Sequence, residues 1–541
     1  MLDVPDDYEF GYRRTVVPAG TKHTSGSLAL PCDIEWERDV PVGLRDGAVI
    51  HVDILRPPGG QGLPAIVAWS PYGKTIPSGL PSTVPEHWFS GYAKFEGPDA
   101  AFWVNEGYAV VNVDVRGIYR SGGGNATGFG MVDAGDGYDV IEWIAQQGWS
   151  NGRVGMHGTS WLAIAQWYIA AARPPHLKAI APWNGMSDVY RNLVGQGGIP
   201  DLAFVSGLTS TLVGPGSVEN TAGMMMAQPL INDYWKDKRA RVEDIVVPAY
   251  VGADLHTGLH TSGSIDAFRR LGSKNKWLRI NNSNEWYDQY TPANQKDLLR
   301  FFDRYLKGAR NGWETTPPVR VTITDTGENG QERPNVPFAA WPVPDTEYRK
   351  LYLDATTGQL VSRAPSTAET VQYPATTGQA EFTIRMERDV RLVGELSARI
   401  HVSAVDAQDL DLFLLVERLE RDGTVLDVPP LAKGYFPTSS PGPHGRLRAS
   451  LRALDRDKST AYLPVHAFNR SQPLGSGEVV ALDIALMPIG LRVHAGQSLR
   501  LTVAGHFVGG SELPLSTINR GTHVVHTGGE HASYLTLPVV R

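Results

Sequence analysis

One short segment, Gly158-Thr159-Ser160-Trp161-Leu162-Ala163, constrains the fold of this chain more than any other. It joins an apolar run at 153–157, predicted to be a strand, to an apolar segment ending near residue 172, predicted to be a helix. A serine on such a turn exposes its hydroxyl at the end of the strand, and the next amide is free to bind an oxyanion. Ser160 is therefore the predicted nucleophile and Trp161 the predicted amide donor. A serine hydroxyl needs a base to accept its proton, usually a histidine.

Short apolar runs alternate with helical patterns through the first 310 residues. The runs typical of buried parallel strands are 65–69, 108–115, 154–157, 179–181, 246–251 and 277–280. This alternation predicts an α/β fold with a doubly wound parallel sheet. Within 184–245 the alternation stops, and short helical pieces with Gly, Pro and Met predict a helical cap over the pocket.

The pattern changes again after Pro317-Pro318, where alternating strands and turns replace the helices. Examples are 319–323, 396–402 and 499–503, in which apolar and polar residues alternate. We therefore expect an α/β domain at 1–310, with the cap at about 184–245, and an all-β sandwich of jelly-roll type at 318–541. The length of 541 residues is consistent with at least two domains.

Composition and charge narrow the range of partners. The net charge of -7 and the lack of a basic run give no reason to expect nucleic acid or a membrane surface as a partner. The lone Cys32 cannot form an intramolecular disulfide, and residues 1–7 do not resemble a signal peptide, so we expect a cytoplasmic protein. The expected partner is a small-molecule substrate. Homodimerisation through the all-β part is a further hypothesis.

Several motifs together resemble the cocaine-esterase and X-prolyl dipeptidyl-peptidase group of serine hydrolases, in particular its CocE/NonD-type acyl esterase branch. They are Arg45-Asp46-Gly47, Ser70-Pro71-Tyr72-Gly73-Lys74, Asp114-Val115-Arg116-Gly117, the segment from Gly158 to Trp167, and Ala181-Pro182-Trp183. The resemblance implies an α/β-hydrolase fold, a Ser-Asp-His triad, and an oxyanion hole built from a tyrosine hydroxyl and the amide after the nucleophile. Ser160, Trp161 and Tyr72 match three of these parts.

The acid and the base of that triad do not match. The aspartate is expected at about Thr257, and the nearest carboxylate is Asp254 in the same loop. The histidine is expected at Asn284, and no histidine occurs from 261 through 400. A threonine cannot hold an imidazolium as a carboxylate does, and an amide has no basic lone pair to accept the serine proton.

Three interpretations follow from this departure. In the first, His256 or His260, in the loop beside Asp254, serves as the base of a hydrolase. In the second, the scaffold catalyses condensation, cyclisation or proton transfer without an acyl-enzyme, with Tyr72 and the Trp161 amide polarising an oxygen. In the third, the chain is an inactive binding homologue.

The i,i+4 spacing of His256 and His260 is also that of a metal pair, but no third ligand is evident, so neither a metal nor a cofactor is expected. His157, three residues before Ser160, is predicted to be a core histidine. The residues expected at the mouth of the pocket and in substrate binding are Trp183, Asn284, Trp286 and Tyr287. They favour a small, largely apolar carbonyl, ester or amide compound, and hydrolysis is the leading function.

Overall fold

The computed structural model describes residues 10–74, 83–125, 129–212, 214, 218–327, 330–426, 442–508 and 515–541. Residues 1–7, on which the prediction about a signal peptide rests, lie outside this part of the chain. Two large sheets organise the described residues, one in each half. The first is flanked by helices and the second is not, in agreement with the predicted α/β sheet followed by an all-β segment.

The first sheet is doubly wound. Within the described residues its eleven strands lie in the order β1-β2-β3-β5-β4-β6-β7-β8-β9-β10-β11. Pairing is parallel from β5 across to β10 and antiparallel on the two flanks. The bounds are β1 (Arg13–Val17), β2 (Ile34–Gly43), β3 (Val49–Arg56), β4 (Leu63–Ser70), β5 (Ala109–Asp114), β6 (Ser150–Thr159), β7 (Leu177–Trp183), β8 (Ala249–Asp254), β9 (Lys276–Asn281), β10 (Val319–Ile323) and β11 (Arg333–Phe338).

Burial on both faces explains why the central strands are continuous apolar runs. Every residue of β4 and of β5 is buried, because helices cover the sheet on each side. The strand predicted at 246–251 begins later than expected, at Ala249, and Val246 is exposed ahead of it.

Nine α-helices connect the strands in the described residues. They are α1 (Ala100–Asn105), α2 (Met131–Ala145), α3 (Trp161–Ala171), α4 (Leu202–Ser210), α5 (Thr221–Ala227), α6 (Asp233–Asp237), α7 (Thr261–Arg270), α8 (Glu285–Tyr290) and α9 (Pro292–Phe302). The short helices α4, α5 and α6 belong to the insertion predicted between β7 and β8. Its Tyr190 ring packs 5.3 Å from Trp235 and 5.5 Å from Phe468, measured between ring centroids, so the insertion also contacts the second half of the chain.

The second sheet is antiparallel except for one parallel contact between β13 and β15. Its path is β14-β21-β16-β22-β12-β13-β15-β20-β17-β18, and β19 pairs with β16. The bounds are β12 (Glu347–Asp354), β13 (Gln359–Val361), β14 (Glu369–Pro374), β15 (Gln379–Arg385), β16 (Val390–Val405), β17 (Asp411–Leu419), β18 (His444–Arg448), β19 (Val480–Val493), β20 (Ser498–Ala504), β21 (Thr522–Thr527) and β22 (Tyr534–Val540).

The hairpin β10–β11 joins the first sheet rather than the second. The sequence pattern places 319–323 in the all-β domain as an antiparallel strand, but Val319 and Val321 pair in parallel with Leu278 and Ile280 of β9. The residue after β10, Thr324, then pairs with the second sheet. Thr324 N donates to Gly490 O at 2.8 Å, and Thr324 O accepts from Arg492 N at 3.0 Å. The domain limits near 310 and 318 stay a prediction.

The parallel strands bring the loops after β4, β6, β7, β8 and β9 to one edge of the sheet, where ligands of such sheets bind. In the described part of the chain, no helix combines the length and apolar character needed to cross a membrane.

Candidate active site

Ser160 occupies a strained turn between β6 and α3. Its φ of 53° and ψ of -120° lie in a region that non-glycine residues rarely adopt. The surrounding structure holds this conformation, because Ser160 N donates to Asn184 O at 2.8 Å and the first turn of α3 donates back to Ser160 O. The serine hydroxyl is thereby presented at the carboxyl end of β6, as the sequence predicts for a nucleophile.

Gly158 explains how this turn tolerates a leucine at position 162. The φ of Gly158 is 149°, and a Cβ there would lie 2.4 Å from Leu162 Cβ and 2.9 Å from Glu96 O. Both distances are too short for real atoms, so only glycine fits. Leu162 is buried and fills the space that the missing side chain leaves.

The predicted oxyanion donors are the amide of Trp161, which follows the serine, and the hydroxyl of Tyr72, whose ring packs against Trp161. The Trp161 amide is the first of α3, and first-turn amides lack an acceptor within their own helix. Tyr72 follows β4 and is buried, with its ring 5.9 Å from the Trp161 ring and 5.2 Å from Phe95. Phe129 packs 4.3 Å from Trp161, so the donors are surrounded by aromatic rings.

Glu96, a residue that the sequence analysis missed, lies beside the turn that carries Ser160. Glu96 is fully buried, and burial raises the pKa of its carboxyl to about 8, although hydrogen bonds from Trp286 and Ser160 act in the opposite direction. Trp286 Nε1 donates to Glu96 Oε1 at 3.1 Å. The backbone is fixed as well, since Glu96 O accepts from Thr159 N at 3.2 Å and from Gln289 Nε2 at 2.9 Å. A carboxyl group is thus held next to the hydroxyl.

A second buried carboxyl, that of Glu285, lies at the start of α8. Its pKa is raised by burial and then by the nearby carboxyls of Glu96 and Asp254. Glu285 Oε2 lies 3.4 Å from His260 Nε2. Burial lowers the pKa of His260 to about 3, so at neutral pH the imidazole is neutral and this contact is not an ion pair.

The structure gives neither predicted histidine base a hydrogen bond to Ser160. Neither ring nitrogen of His260 has a hydrogen-bond partner among the described residues. His256 Nε2 is paired with Asn282 Oδ1. The predicted interpretation in which one of these imidazoles takes the serine proton therefore lacks the required contact.

Asp254 organises its own loop instead of orienting an imidazole. Its carboxylate accepts from the amides of His256 and Thr257 at 2.8 and 2.6 Å, and from Thr257 Oγ1 at 2.7 Å. Burial raises its pKa to about 6, and these hydrogen bonds oppose that shift. Thr257, at the position expected for an aspartate, is thus tied to Asp254.

Two of the four predicted substrate-binding residues have structural roles. Trp183 is fully buried in the core, with its ring 5.4 Å from Tyr250 and the Arg279 guanidinium 4.6 Å above it, so its placement at the pocket mouth is wrong. Asn284 caps α8, because its Oδ1 accepts from Tyr287 N at 2.9 Å.

The other two predicted substrate-binding residues lie on α8. Trp286 contacts Glu96 directly. The Tyr287 ring packs 5.1 Å from Trp88. As predicted, His157 is a core histidine, with Nδ1 at 3.0 Å from Ala181 O.

Asn184 is a further residue at this site that the sequence did not point to. It follows β7, has a φ of 50°, and is fully buried. Neither Oδ1 nor Nδ2 of its side chain has a hydrogen-bond partner among the described residues, which is unusual for a buried carboxamide. The main chain of Asn184 binds the Ser160 amide, and its side chain is a buried polar group without a partner in the described residues. Such a group is typical of a site that binds the polar part of a ligand.

A strained serine at a strand-to-helix turn, with an amide and a tyrosine beside it, defines the site of an α/β-hydrolase of the serine type. Family models match both halves of the chain: X-Pro dipeptidyl-peptidase (S15 family) over 46–221, and the X-Pro dipeptidyl-peptidase C-terminal non-catalytic domain over 311–536. A solved CocE/NonD family hydrolase from Staphylococcus aureus is 31% identical, covers 100% of both chains and superposes with a TM-score of 0.90. The chain belongs to this CocE/NonD family of hydrolases.

The chain is also similar to a more distant curated relative and to a more distant solved structure. Cocaine esterase from Rhodococcus sp. is 26% identical over 378 residues, which is 58% of this chain and 62% of that enzyme. The structure of an α-amino acid ester hydrolase is 18% identical, with a TM-score of 0.70 over 93% of this chain and 96% of that one, and shares the fold.

Proposed function

We propose that this chain hydrolyses an ester or amide of a small, largely apolar compound, with Ser160 as nucleophile and Glu96 as proton acceptor. The observation that carries the proposal is that the buried Glu96 lies beside the strained Ser160: its main-chain oxygen accepts from Thr159 N at 3.2 Å, and Ser160 is one of the groups that shift the pKa of its carboxyl. A carboxylate can take the hydroxyl proton, whereas the asparagine at 284 cannot.

Each step uses groups already at the site. Ser160 Oγ attacks the carbonyl carbon of the substrate while its proton passes to the Glu96 carboxylate. The Trp161 amide and the Tyr72 hydroxyl hydrogen-bond the oxyanion that forms on the carbonyl oxygen. Protonated Glu96 then donates this proton to the departing alcohol or amine as the carbonyl–leaving-group bond breaks. Water hydrolyses the resulting acyl-enzyme in the same way, with Glu96 again taking and returning a proton.

The lining around Ser160 supports an apolar substrate. Aromatic rings of Tyr72, Phe95, Phe129 and Trp161 pack against one another there. A cavity of about 460 Å³ elsewhere in the described residues lies between α7, the insertion and the second sheet, with Gly258, Asn192 and Arg446 in its wall. Ser160 is not among its lining residues, so that cavity does not define the substrate.

The proposal is tested with a fluorophosphonate probe, which forms a covalent bond only with an activated serine. We expect labelling at Ser160 in the parent protein and none in S160A. A folded parent protein that is not labelled would overturn the proposal.

Labelling and a turnover assay together separate the remaining interpretations. A catalyst that works without an acyl-enzyme, with protonated Glu96 as a general acid, would turn over a carbonyl substrate and keep that activity in S160A. An inactive binding homologue would show neither labelling nor turnover.

A further inference from the structure

A surface cleft rich in arginine lies where the first sheet meets the second, and Ser160 is not among the residues that line it. Its volume is about 710 Å³, and its wall contains strands of both sheets. The charged side chains that line it are Arg333, Arg349, Arg388, Arg391, Arg492, Arg541 and Asp389. Six guanidinium groups thus face one carboxylate, in a chain whose overall charge is -7.

Part of this charge is compensated within the protein. Arg349 pairs with Glu347 at 2.6 Å, and Arg492 pairs with Asp389 at 2.7 Å. Asp389 also lies 3.3 Å from His494 Nδ1. Arg391 donates to the main-chain oxygen of Arg541.

Only Arg349 and Arg492 among these arginines form an ion pair within the described residues, so four of them do not: Arg333, Arg388, Arg391 and Arg541. Glu347 is close enough to Arg388 and Arg541 for their charges to lower its pKa, but its hydrogen bond goes to Arg349. Positive charge therefore remains in excess inside the cleft.

The strand register concentrates this charge further. Arg391 of β16 lies directly opposite Arg492 of β19. Like charges at directly opposed positions of an antiparallel pair destabilise a sheet, and an anion between them would remove that cost. The Arg391 Nε atom is buried and has no hydrogen-bond partner among the described residues, so a donor is available.

We propose that this cleft binds a small anion that carries phosphate groups. A guanidinium group presents two parallel N–H donors that match the oxygens of a phosphate, and several arginines can share one polyphosphate. The volume is that of a site for a small molecule. The arginines converge on one cleft instead of forming an extended stripe, which favours a compact ligand over a nucleic acid.

The position of the cleft gives the ligand a mechanical role. Arg333 comes from β11 at the end of the first sheet, whereas Arg388, Arg391, Arg492 and Arg541 come from the second half of the chain. An anion bound between them joins the two halves, and a ligand that binds only the folded state raises the melting temperature.

Calorimetric titration of the full chain with inorganic pyrophosphate tests the proposal. We expect saturable binding that weakens as salt is added, together with a rise in melting temperature. The double variant R333Q/R388Q should lose roughly tenfold or more in affinity, because it removes two guanidinium–phosphate contacts at exposed positions. The control R363Q changes an exposed arginine outside the cleft and should bind as the parent does.

Four outcomes would overturn the proposal. They are the absence of saturable binding, equal affinity in R333Q/R388Q and in the parent, and tighter binding than that of pyrophosphate by either a short DNA oligonucleotide or citrate. A preference for citrate would assign the cleft to a carboxylate ligand instead.

Discussion

Replacing Glu96 with glutamine should slow the chemistry and stabilise the protein at alkaline pH. Burial raises the pKa of Glu96 from its ordinary value of 4.5 to about 8. At pH 7 only about one-tenth of Glu96 is therefore ionised, and the fraction available to accept the Ser160 proton rises about tenfold by pH 9. Labelling of the parent by a fluorophosphonate should accelerate across this range, instead of levelling off near pH 7 as imidazole catalysis would.

The same pKa fixes the sign of the stability change. The folded chain keeps the Glu96 proton up to about pH 8, whereas the unfolded chain loses it near pH 4.5, so stability falls as the pH rises between these values. The difference corresponds to at most about 5 kcal/mol above pH 8, shared with the neighbouring carboxyls of Glu285 and Asp254. Glutamine does not ionise, so E96Q should melt at a higher temperature than the parent at pH 9.

Two measurements check this prediction. The labelling rate of E96Q should be lower than that of the parent by a factor of about 100 or more, as expected when a general base is lost. The melting temperature, followed from pH 5 to pH 9, should fall less steeply in E96Q. The control E142Q changes a glutamate that binds His176, beyond the C-terminal end of α3 and so at the opposite end of that helix from Ser160, and should leave labelling unaltered. Equal labelling of E96Q and the parent would refute the role of Glu96 as proton acceptor.

Three further variants separate catalytic from structural roles. Y72F keeps the packing against Trp161 and should lower kcat/KM by about 10- to 1000-fold with little change in melting temperature, whereas unchanged turnover would remove Tyr72 from the oxyanion hole. H260Q should be labelled at Ser160 within a few-fold of the parent rate, since His260 contacts Glu285 and not the serine, and loss of labelling in folded H260Q would restore His260 as the base. K74M removes the buried ammonium that lies 2.6 Å from Asp39 and 3.4 Å from Asp114, and the unpaired carboxylates should destabilise the chain by about 3–5 kcal/mol in urea unfolding. A K74M variant as stable as the parent would show that the ion pairs of Lys74 do not stabilise the segment after β4, which carries Tyr72.

The parts of the site that sequence could predict are those set by local structure. Ser160 and Trp161 are adjacent in the chain, and the strand-to-helix pattern around them determines their geometry. His157 was predicted to be a core histidine because it lies on a strand buried on both faces.

The carboxyl partner of Ser160 could not be predicted in this way. Glu96 lies 64 residues before Ser160, in an irregular segment with a φ of 63° and no periodic pattern. Only tertiary contacts with Trp286 and Thr159 bring it to the serine. The available signal was a single acidic residue between Phe95 and Gly97 in an aromatic stretch, which does not point to a role by itself.

The wrong placement of Trp183 has a related cause. The residue ends β7, where successive side chains point to opposite faces of the sheet, and the sequence does not tell which face Trp183 takes. In the structure, the Trp183 ring packs against Tyr250 and Arg279 in the core. The alternation of apolar and polar residues in β10 is compatible with either sheet, so the sequence pattern assigns this strand to the wrong one. In the structure, β10 pairs with β9 and so belongs to the first sheet.

The hairpin β10–β11 limits how this chain can be divided. A fragment that ends near residue 310 would lack β10 and would expose the full length of β9 as an edge, with the apolar residues Leu278 and Ile280 beside unpaired main-chain groups. Such a fragment should self-associate, although it contains every residue of the serine site. Truncations for crystallography or engineering should therefore keep the chain at least to Phe338, and the hydrogen bonds of Thr324 to Gly490 and Arg492 argue for keeping both halves.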